Sequence, residues 1–292
     1  MGKLGLVVEG GGMKCAYSAA VLDRFLDDGI TFDYAIGVSA GSGNIASFLA
    51  GQRGRNLRFY TEYIHDKEYF GFYPLKNTGN LFGLEYIYQQ VTGSNGKDPL
   101  DFEALEENPT EFEVTATDAI TAKPHYFSGK MLKKDDCSII MAGAAIPAVC
   151  QPVKIQGRYY YDGGVSDSIP VDRALDQGCD RIAVITSKPR DFVKEPQKFH
   201  SLYAMKCHRF PNIVEALDNR HVMYMKEKER LYQLEEEGTV FVFAPSQKLR
   251  MSTYNMKEED NQALYDLGLR DYEERRGEWI SWLMTGGRHD KD

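Results

Sequence analysis

The sequence predicts an α/β protein, a three-layer α/β/α fold with a mostly parallel central sheet. The first observation is a strand–helix–strand–helix order within the first fifty residues. The second is that the predicted strands are continuous apolar runs, which are typical of parallel strands buried on both faces. The third is a pair of long amphipathic segments, about 211–236 and 257–284, which predict a helical C-terminal extension.

The N-terminal part contains two strand–loop–helix units in succession. Leu4 to Val8 predicts a buried strand, and the helix after it extends from Met13 to Asp28 and ends at Gly29. Asp33 to Val38 predicts the second strand, and Ser42 to Ala50 the second helix. This order predicts a βαβ unit, and therefore a parallel sheet covered by helices on both faces.

The remaining elements follow from the same patterns. Further strands are predicted over 112–119, 181–186 and 239–243, a hairpin over 151–161, and short helices over 99–107 and 170–177. We expect one compact domain over 4–190 and a helical extension over 191–292 packed on it. The mixed-sign charge runs 226–230 and 273–276 predict solvated helix faces, and we expect the tail Gly286 to Asp292 to be frayed.

An aromatic-rich stretch interrupts this order. Ten aromatic side chains lie between Phe59 and Tyr88, separated by glycines and a proline. One interpretation is an ordinary aromatic core with surface loops. The other is a cap insertion, about 53–98, that lines an acyl-chain pocket, since long insertions near active sites often act in this way.

Composition restricts the class of protein. The 292 residues carry a net charge of −8, which argues against nucleic acid as a partner. The five cysteines are widely spaced and form no C-x-x-C pair, so we expect buried thiols in a reducing compartment. No signal peptide and no 18-residue apolar run is visible. We predict a cytoplasmic protein, and transient peripheral contact with the inner membrane face stays open.

The pattern that indicates chemistry is G-x-S-x-G at Gly37 to Gly41, directly after the predicted second strand. In a nucleophile elbow the serine lies on a sharp strand-to-helix turn, and the flanking glycines supply the small volume that the turn requires. Ser39 is therefore a candidate nucleophile. The N-terminus of the following helix, with the N–H of Ala40, is aimed at an oxyanion formed there.

A serine nucleophile needs a base, and two candidates stay open. One is a histidine, as in α/β-hydrolases, but in that fold several strands precede the elbow, whereas only about two precede Ser39. The other is Asp162, which ends an apolar tyrosine-rich strand and is followed by Gly163 and Gly164. Partial desolvation beside the tyrosines would raise the pKa of this carboxyl and make it a stronger base.

The loop Gly10-Gly11-Gly12 has two interpretations. After a strand and before a helix it could bind a dinucleotide pyrophosphate, but Cys15 occupies the last position of that fingerprint and the acidic residue of the next strand is missing. Alternatively, its N–H groups form an oxyanion hole that faces the carbonyl attacked by Ser39. Lys14 either adds a positive charge there or belongs to the exposed first turn of the helix.

Together these motifs resemble the patatin-like phospholipase family. Its glycine-rich loop corresponds to Gly10 to Cys15, its G-x-S-x-G to Gly37 to Gly41, and its D-G-G to Asp162-Gly163-Gly164. The segment Met141 to Pro147 resembles the stretch that leads into the D-G-G hairpin. The resemblance covers about residues 4 to 190, with Lys14 in place of the commoner Arg and Cys15 in place of the last Gly.

The resemblance implies a Ser–Asp dyad of Ser39 and Asp162, without histidine, and an oxyanion hole at Gly10 to Gly12. It implies a hydrolase of lipid carboxylic esters, of the phospholipid or lysophospholipid type, that uses an acyl-enzyme intermediate. It further implies a lipid ester as the partner, and neither a cofactor nor a metal. Two other functions stay open, a dinucleotide-binding oxidoreductase and a catalytically silent interaction protein on the same fold. Substrate head group and oligomeric state do not follow from the sequence.

Overall fold

An eight-stranded sheet forms the centre of the computed structural model, which describes residues 2–248 and 251–285. The spatial order is β5-β6-β3-β2-β1-β7-β8, and β4 pairs with β3. Five strands run parallel, while β4, β5 and β6 are antiparallel to their neighbours. The strands are β1 (Lys3–Val8), β2 (Tyr34–Val38), β3 (Glu111–Asp118), β4 (Pro124–Ser128), β5 (Val153–Ile155), β6 (Arg158–Asp162), β7 (Cys179–Ile185) and β8 (Val240–Phe243).

Helices surround this sheet and form the connections between its parallel strands. Short 3₁₀ turns precede several of them, among them Gly12–Cys15 before the first helix. The α-helices are α1 (Ala16–Asp27), α2 (Ala40–Leu49), α3 (Arg55–Thr61), α4 (Phe72–Thr78), α5 (Phe102–Glu107), α6 (Ser138–Gly143), α7 (Val171–Asp176), α8 (His200–Lys206), α9 (Pro211–Glu236) and α10 (Glu258–Thr285).

The two faces of the sheet carry two separate apolar layers. Along β1, Leu6 and Val8 belong to the core that contains α1, α2 and α10, whereas Val7 belongs to the core that contains α7 and α9. This alternation is required because successive side chains of a strand point to opposite faces. The three-layer α/β/α architecture with a mostly parallel sheet is therefore confirmed.

One strand, β3, brings the two candidate catalytic residues together. On one edge it pairs with β2 through the Val38–Thr115 position, and the next residue of β3, Ala116, pairs with Asp162 of β6. The opposite edge of β3 is occupied by β4, which pairs with residues 113–117. β2 and β6 therefore pair with the same edge of β3, one after the other. Asp162, at the end of β6, lies next to the end of β2, and Ser39 is the residue that follows β2.

The C-terminal segment packs tightly on this framework. β8 adds to the sheet beside β7, so the sheet extends beyond residue 190. α10 lies against α1, with Gly268 so close that a Cβ there would be 2.8 Å from the Cβ of Ala20. Trp279 is fully buried and packs on Phe25 at a centroid distance of 5.4 Å. The segment thus completes the core of the sheet.

Most predicted elements are confirmed, with differences at four places. Residues 13–15 form a 3₁₀ turn before α1, and the helix predicted over 99–107 begins only at Phe102. The edge strand β4 was not predicted. The solvated face predicted for the run 226–230 is wrong in part, because Lys228 is buried and Glu227 binds backbone N–H groups of a neighbouring loop.

Three further predictions concern the chain as a whole. All five cysteines are free and buried, as expected. Within the described residues, no helix combines the length and the apolarity that a bilayer crossing needs. The tail predicted to be frayed, Gly286 to Asp292, lies outside the described residues.

Candidate active site

Ser39 connects β2 to α2 in a strained backbone conformation. Its φ is 54° and its ψ is −130°, a region that costs a non-glycine residue about 1–3 kcal/mol. The flanking glycines make the turn possible. A Cβ at Gly37 would lie 2.5 Å from Cα of Ser42, and one at Gly41 would lie 2.6 Å from the carbonyl oxygen of Val8. This is the geometry that a nucleophile elbow requires.

Asp162 ends β6 with its side chain almost fully buried, at 4% exposure. Its Oδ1 accepts a hydrogen bond from the Gly164 N–H at 2.8 Å. Burial raises the pKa of this carboxyl, while the Arg220 guanidinium, the Ser39 hydroxyl and the Gly164 N–H oppose that rise. The desolvation expected from the sequence is therefore present.

The D-G-G turn is fixed by close contacts around both of its glycines. A Cβ at Gly163 would lie 2.4 Å from the carbonyl oxygen of Thr115 on β3, and one at Gly164 would lie 2.9 Å from Nη2 of Arg220. The segment after α6 holds the other side of the strand end, because the Asp162 N–H donates to the carbonyl of Ala145 at 2.9 Å. Larger residues would displace the carboxylate from its position.

Two cavities of different character meet at Ser39. A small apolar cavity of about 80 Å³ is lined by α2 and by aromatic side chains of the predicted cap, including Phe59, Tyr69 and Phe82. A larger cavity of about 570 Å³ contains Asp162 and the glycine loop, and we call it the polar cavity because charged side chains contribute to its otherwise largely apolar lining. Ser39 lines both cavities, together with Gly12 and Ile146.

The loop Gly10 to Gly12 passes directly beside Ser39. A Cβ at Gly10 would lie 2.8 Å from the Cβ of Ser39, and Gly12 has a φ of +56°, which favours glycine. The Met13 N–H donates to the carbonyl of Thr253 at 3.1 Å. By contrast, the N–H groups of Gly10 to Gly12 meet no backbone acceptor in the part of the chain that the structure describes. They are available as donors in the polar cavity.

The two other residues expected at the oxyanion hole have different positions. Ala40 is the first residue of α2 and lines the apolar cavity next to Ser39, so its N–H is one of the free donors of the helix N-terminus. Lys14 lines neither cavity. Burial lowers the pKa of its amine, and the nearby charge of Lys188 lowers it further. The structure therefore brings Ala40, but not Lys14, to the cavities at Ser39.

No histidine of the described residues lines the site. Among residues 2–248 and 251–285, none of the histidines lines either cavity. His125, for example, packs against the rings of Phe127 and Tyr160 on the sheet. Ser39 and Asp162, by contrast, both line the polar cavity.

Sequence reasoning missed a group of basic side chains that line the polar cavity. Lys188 and Lys194 follow β7, and Arg220 comes from α9. Arg220 donates through Nε to the carbonyl of Gly164. The sequence carries little signal for this group, since an arginine on a charged amphipathic helix has the pattern of a solvated residue.

The chain is similar to a known protein family. The family model described as patatin-like phospholipase matches residues 6–175, more than half of the chain, including the glycine loop, Ser39 and Asp162. The chain belongs to the patatin-like phospholipase family. It is thus a member of a family of lipid hydrolases, and a second model, described as a domain of unknown function (DUF6363), matches residues 210–284.

This patatin-like chain also matches individual proteins. It is 32% identical over 201 residues to the uncharacterized protein YjjU of Escherichia coli (strain K12), a match that covers 68% of this chain and 56% of that protein. The chain therefore spans little more than half the length of this relative. The crystal structure of VipD from Legionella pneumophila superposes with a TM-score of 0.48 at 13% identity, covering 94% of this chain and 66% of that one.

Proposed function

We propose that this protein is a serine acyl hydrolase that cleaves lipid carboxylic esters, with Ser39 as the nucleophile and Asp162 as its base. The observation that carries the proposal is the position of Ser39, a strained serine that lies where an apolar cavity meets a polar cavity containing a buried carboxylate. An ester with an apolar acyl chain and a polar alcohol part has the same division at its carbonyl carbon.

In the first half of the reaction Asp162 accepts the proton of Ser39 Oγ as that oxygen attacks the ester carbonyl carbon. The C–O bond to the alcohol then breaks, and the leaving oxygen takes the proton from Asp162. In the second half Asp162 accepts a proton from water, whose oxygen attacks the acyl-serine. The fatty acid leaves and the proton returns to Ser39 Oγ.

The environment of Asp162 suits a base that acts directly on a hydroxyl. Burial raises the pKa of the carboxyl and so raises its affinity for the Ser39 proton. The Gly164 N–H keeps the carboxylate in one orientation at 2.8 Å. A histidine between the two residues is not needed in this arrangement.

Backbone N–H groups supply the donors for the oxyanion. Gly10 to Gly12 lie beside Ser39 with unused N–H groups, and Ala40 adds the N–H at the start of α2. Donors fixed in place before the reaction stabilise the charge that develops on the carbonyl oxygen, and loss of one such donor costs about 3–4 kcal/mol of activation free energy. Lys14 has no part in the proposed step, since it lines neither cavity.

The apolar cavity is the proposed acyl pocket. Its walls include α2, side chains of the cap (53–98), Ile140 of α6, and Ala144, which follows α6. The polar cavity would then hold the alcohol part of the ester, and its larger volume leaves room for a head group and for the attacking water.

The test is turnover of a short-chain and a long-chain lipid ester by the purified protein. Wild type is expected to hydrolyse both, and Ser39→Ala to lose turnover. Ser42→Ala is the matched control: Ser42 lies one turn further on, is fully buried, and its hydroxyl has no hydrogen-bond partner among the described residues. Turnover by Ser39→Ala at the wild-type rate would refute the assignment.

A further inference from the structure

The polar cavity carries more positive charge than its carboxylates balance. Its carboxylates are Glu9 and Asp162, and Glu9 forms an ion pair with Lys188. Lys194 and Arg220 also line the cavity. In the described part of the chain, no carboxylate oxygen lies within 4 Å of a side-chain nitrogen of Lys194 or Arg220. Seventeen ion pairs at that distance exist among the same residues.

The fold holds these cations close to one another. The Nζ atoms of Lys188 and Lys194 lie 4.9 Å and 5.1 Å from the centroid of the Tyr224 ring. Arg220 is on the same helix as Tyr224, one turn earlier, and its Nε binds the carbonyl of Gly164. Burial, followed by the charges of Arg220 and Lys188, lowers the pKa of the Lys194 amine to about 7. An arrangement that confines like charges in a partly buried space is stabilised by a bound anion.

The location of the cations relative to Ser39 indicates which part of a substrate they meet. They line the polar cavity and not the apolar one. They therefore lie on the side of Ser39 that the proposed function assigns to the alcohol part of the ester. The charge of Arg220 reaches Asp162, where it lowers the pKa of the carboxyl.

We propose that Lys194 and Arg220 bind an anionic group, a phosphate, carried by the alcohol part of the ester substrate. The planar guanidinium can bind two phosphate oxygens, and the lysine supplies a point charge beside it. This inference rests on the proposed function, because only that function makes the polar cavity a substrate site. It gives a role to the segment 210–284, which contributes Arg220 and lies outside the patatin-like match.

The kinetic test compares two esters with the same acyl chain, a 1-acylglycerol 3-phosphate and the neutral 1-acylglycerol. Wild type is expected to prefer the phosphate ester in kcat/KM. Lys194→Met is expected to reduce that preference about tenfold, the factor that a charge-assisted hydrogen bond supplies. Lys194→Arg keeps the charge and should retain most of the preference. Lys206→Gln, an exposed lysine on α8 outside the cavity, is the matched control and should change the ratio less than twofold.

A binding test separates failure of this inference from failure of the proposed function. Calorimetry on Ser39→Ala, with and without Lys194→Met, uses glycerol 3-phosphate, inorganic phosphate and glycerol. Binding of the two anions that is weakened about tenfold by Lys194→Met, with no glycerol binding, supports the anion site whether or not any ester is hydrolysed. Tighter binding of glycerol 3-phosphate than of phosphate identifies a lipid head group as the source, and equal binding identifies the free anion.

Two results would overturn the inference. One is equal kcat/KM for the phosphate and the neutral ester in wild type, with no change of the ratio in Lys194→Met. That result would leave the proposed ester hydrolysis unaffected. The other is anion binding that Lys194→Met does not alter, which would place the anion elsewhere on the protein.

Discussion

The two cavities that meet at Ser39 differ in size, lining and origin. The apolar one, about 80 Å³, is built from α2, the cap and the region of α6. The polar one, about 570 Å³, takes its glycine loop and Asp162 from the N-terminal part but its free cations from residues beyond 190. Ser39 therefore faces two chemically distinct cavities, as the proposed ester hydrolysis requires. Among the described residues, the C-terminal segment contributes to the polar cavity only.

The largest expected effect concerns the carboxylate of the polar cavity. Asp162→Asn keeps an oxygen that can accept the Gly164 N–H but removes the base, so kcat should fall on the order of 10³-fold. Ester turnover measured alongside circular dichroism checks this. Wild-type turnover in a correctly folded Asp162→Asn protein would exclude the dyad.

The same variant should be more stable than wild type at neutral pH. Because the folded-state pKa of Asp162 is raised by burial, its contribution to stability decreases as the pH rises from the unfolded value through the folded one. Asparagine does not ionise and so avoids this decrease in stability. Asp162→Asn should therefore unfold at a higher temperature than wild type at pH 7. The gain should shrink as the pH falls towards about 4. A lower unfolding temperature at pH 7 would contradict the direction of the pKa shift.

The apolar cavity should control chain length. Ala144→Leu places three more carbon atoms against a cavity of about 80 Å³, so kcat/KM for long-chain esters should fall about tenfold relative to short-chain esters. Ile140→Ala enlarges the cavity at the same wall and should shift the substrate preference towards longer acyl chains. Rates on a series of acyl-chain lengths measure both. A uniform loss of activity at every length would show that this cavity is not the acyl pocket.

The smallest effect is a shift in pH dependence through Arg220. Asp162 must be ionised to accept the Ser39 proton, so activity is lost as the pH falls through its pKa. Burial raises the pKa of Asp162, and four groups lower it. Arg220 has the largest lowering effect, followed by Ser39, Gly164 and Lys194. Arg220→Gln should therefore move the acidic limb of kcat/KM for a neutral ester to higher pH. An unchanged limb, as expected for Lys206→Gln, would show that this charge does not act on the base.

The two sides of the site also differ in how far the sequence predicts them. Ser39 and Asp162 were predicted: Ser39 from its glycine motif at a strand end, and Asp162 from the family resemblance, since the residues alone left two candidate bases open. Lys194 and Arg220 were not, because their placement depends on how α9 packs on the sheet. The strand β4 was missed for a related reason. It begins at Pro124 and, among the residues that the structure describes, pairs only with β3, so it is an edge strand whose apolar alternation is weak.

The central claim is that Ser39 is a nucleophile, and covalent labelling tests it most directly. An alkyl fluorophosphonate reacts with an activated serine and leaves a stable phosphonate ester on its Oγ. After digestion, mass spectrometry is expected to locate the label on Ser39 in wild type, to find much slower labelling in Asp162→Asn, and to find none in Ser39→Ala. Wild-type protein that stays unlabelled at Ser39, or label that persists in Ser39→Ala, would contradict the account.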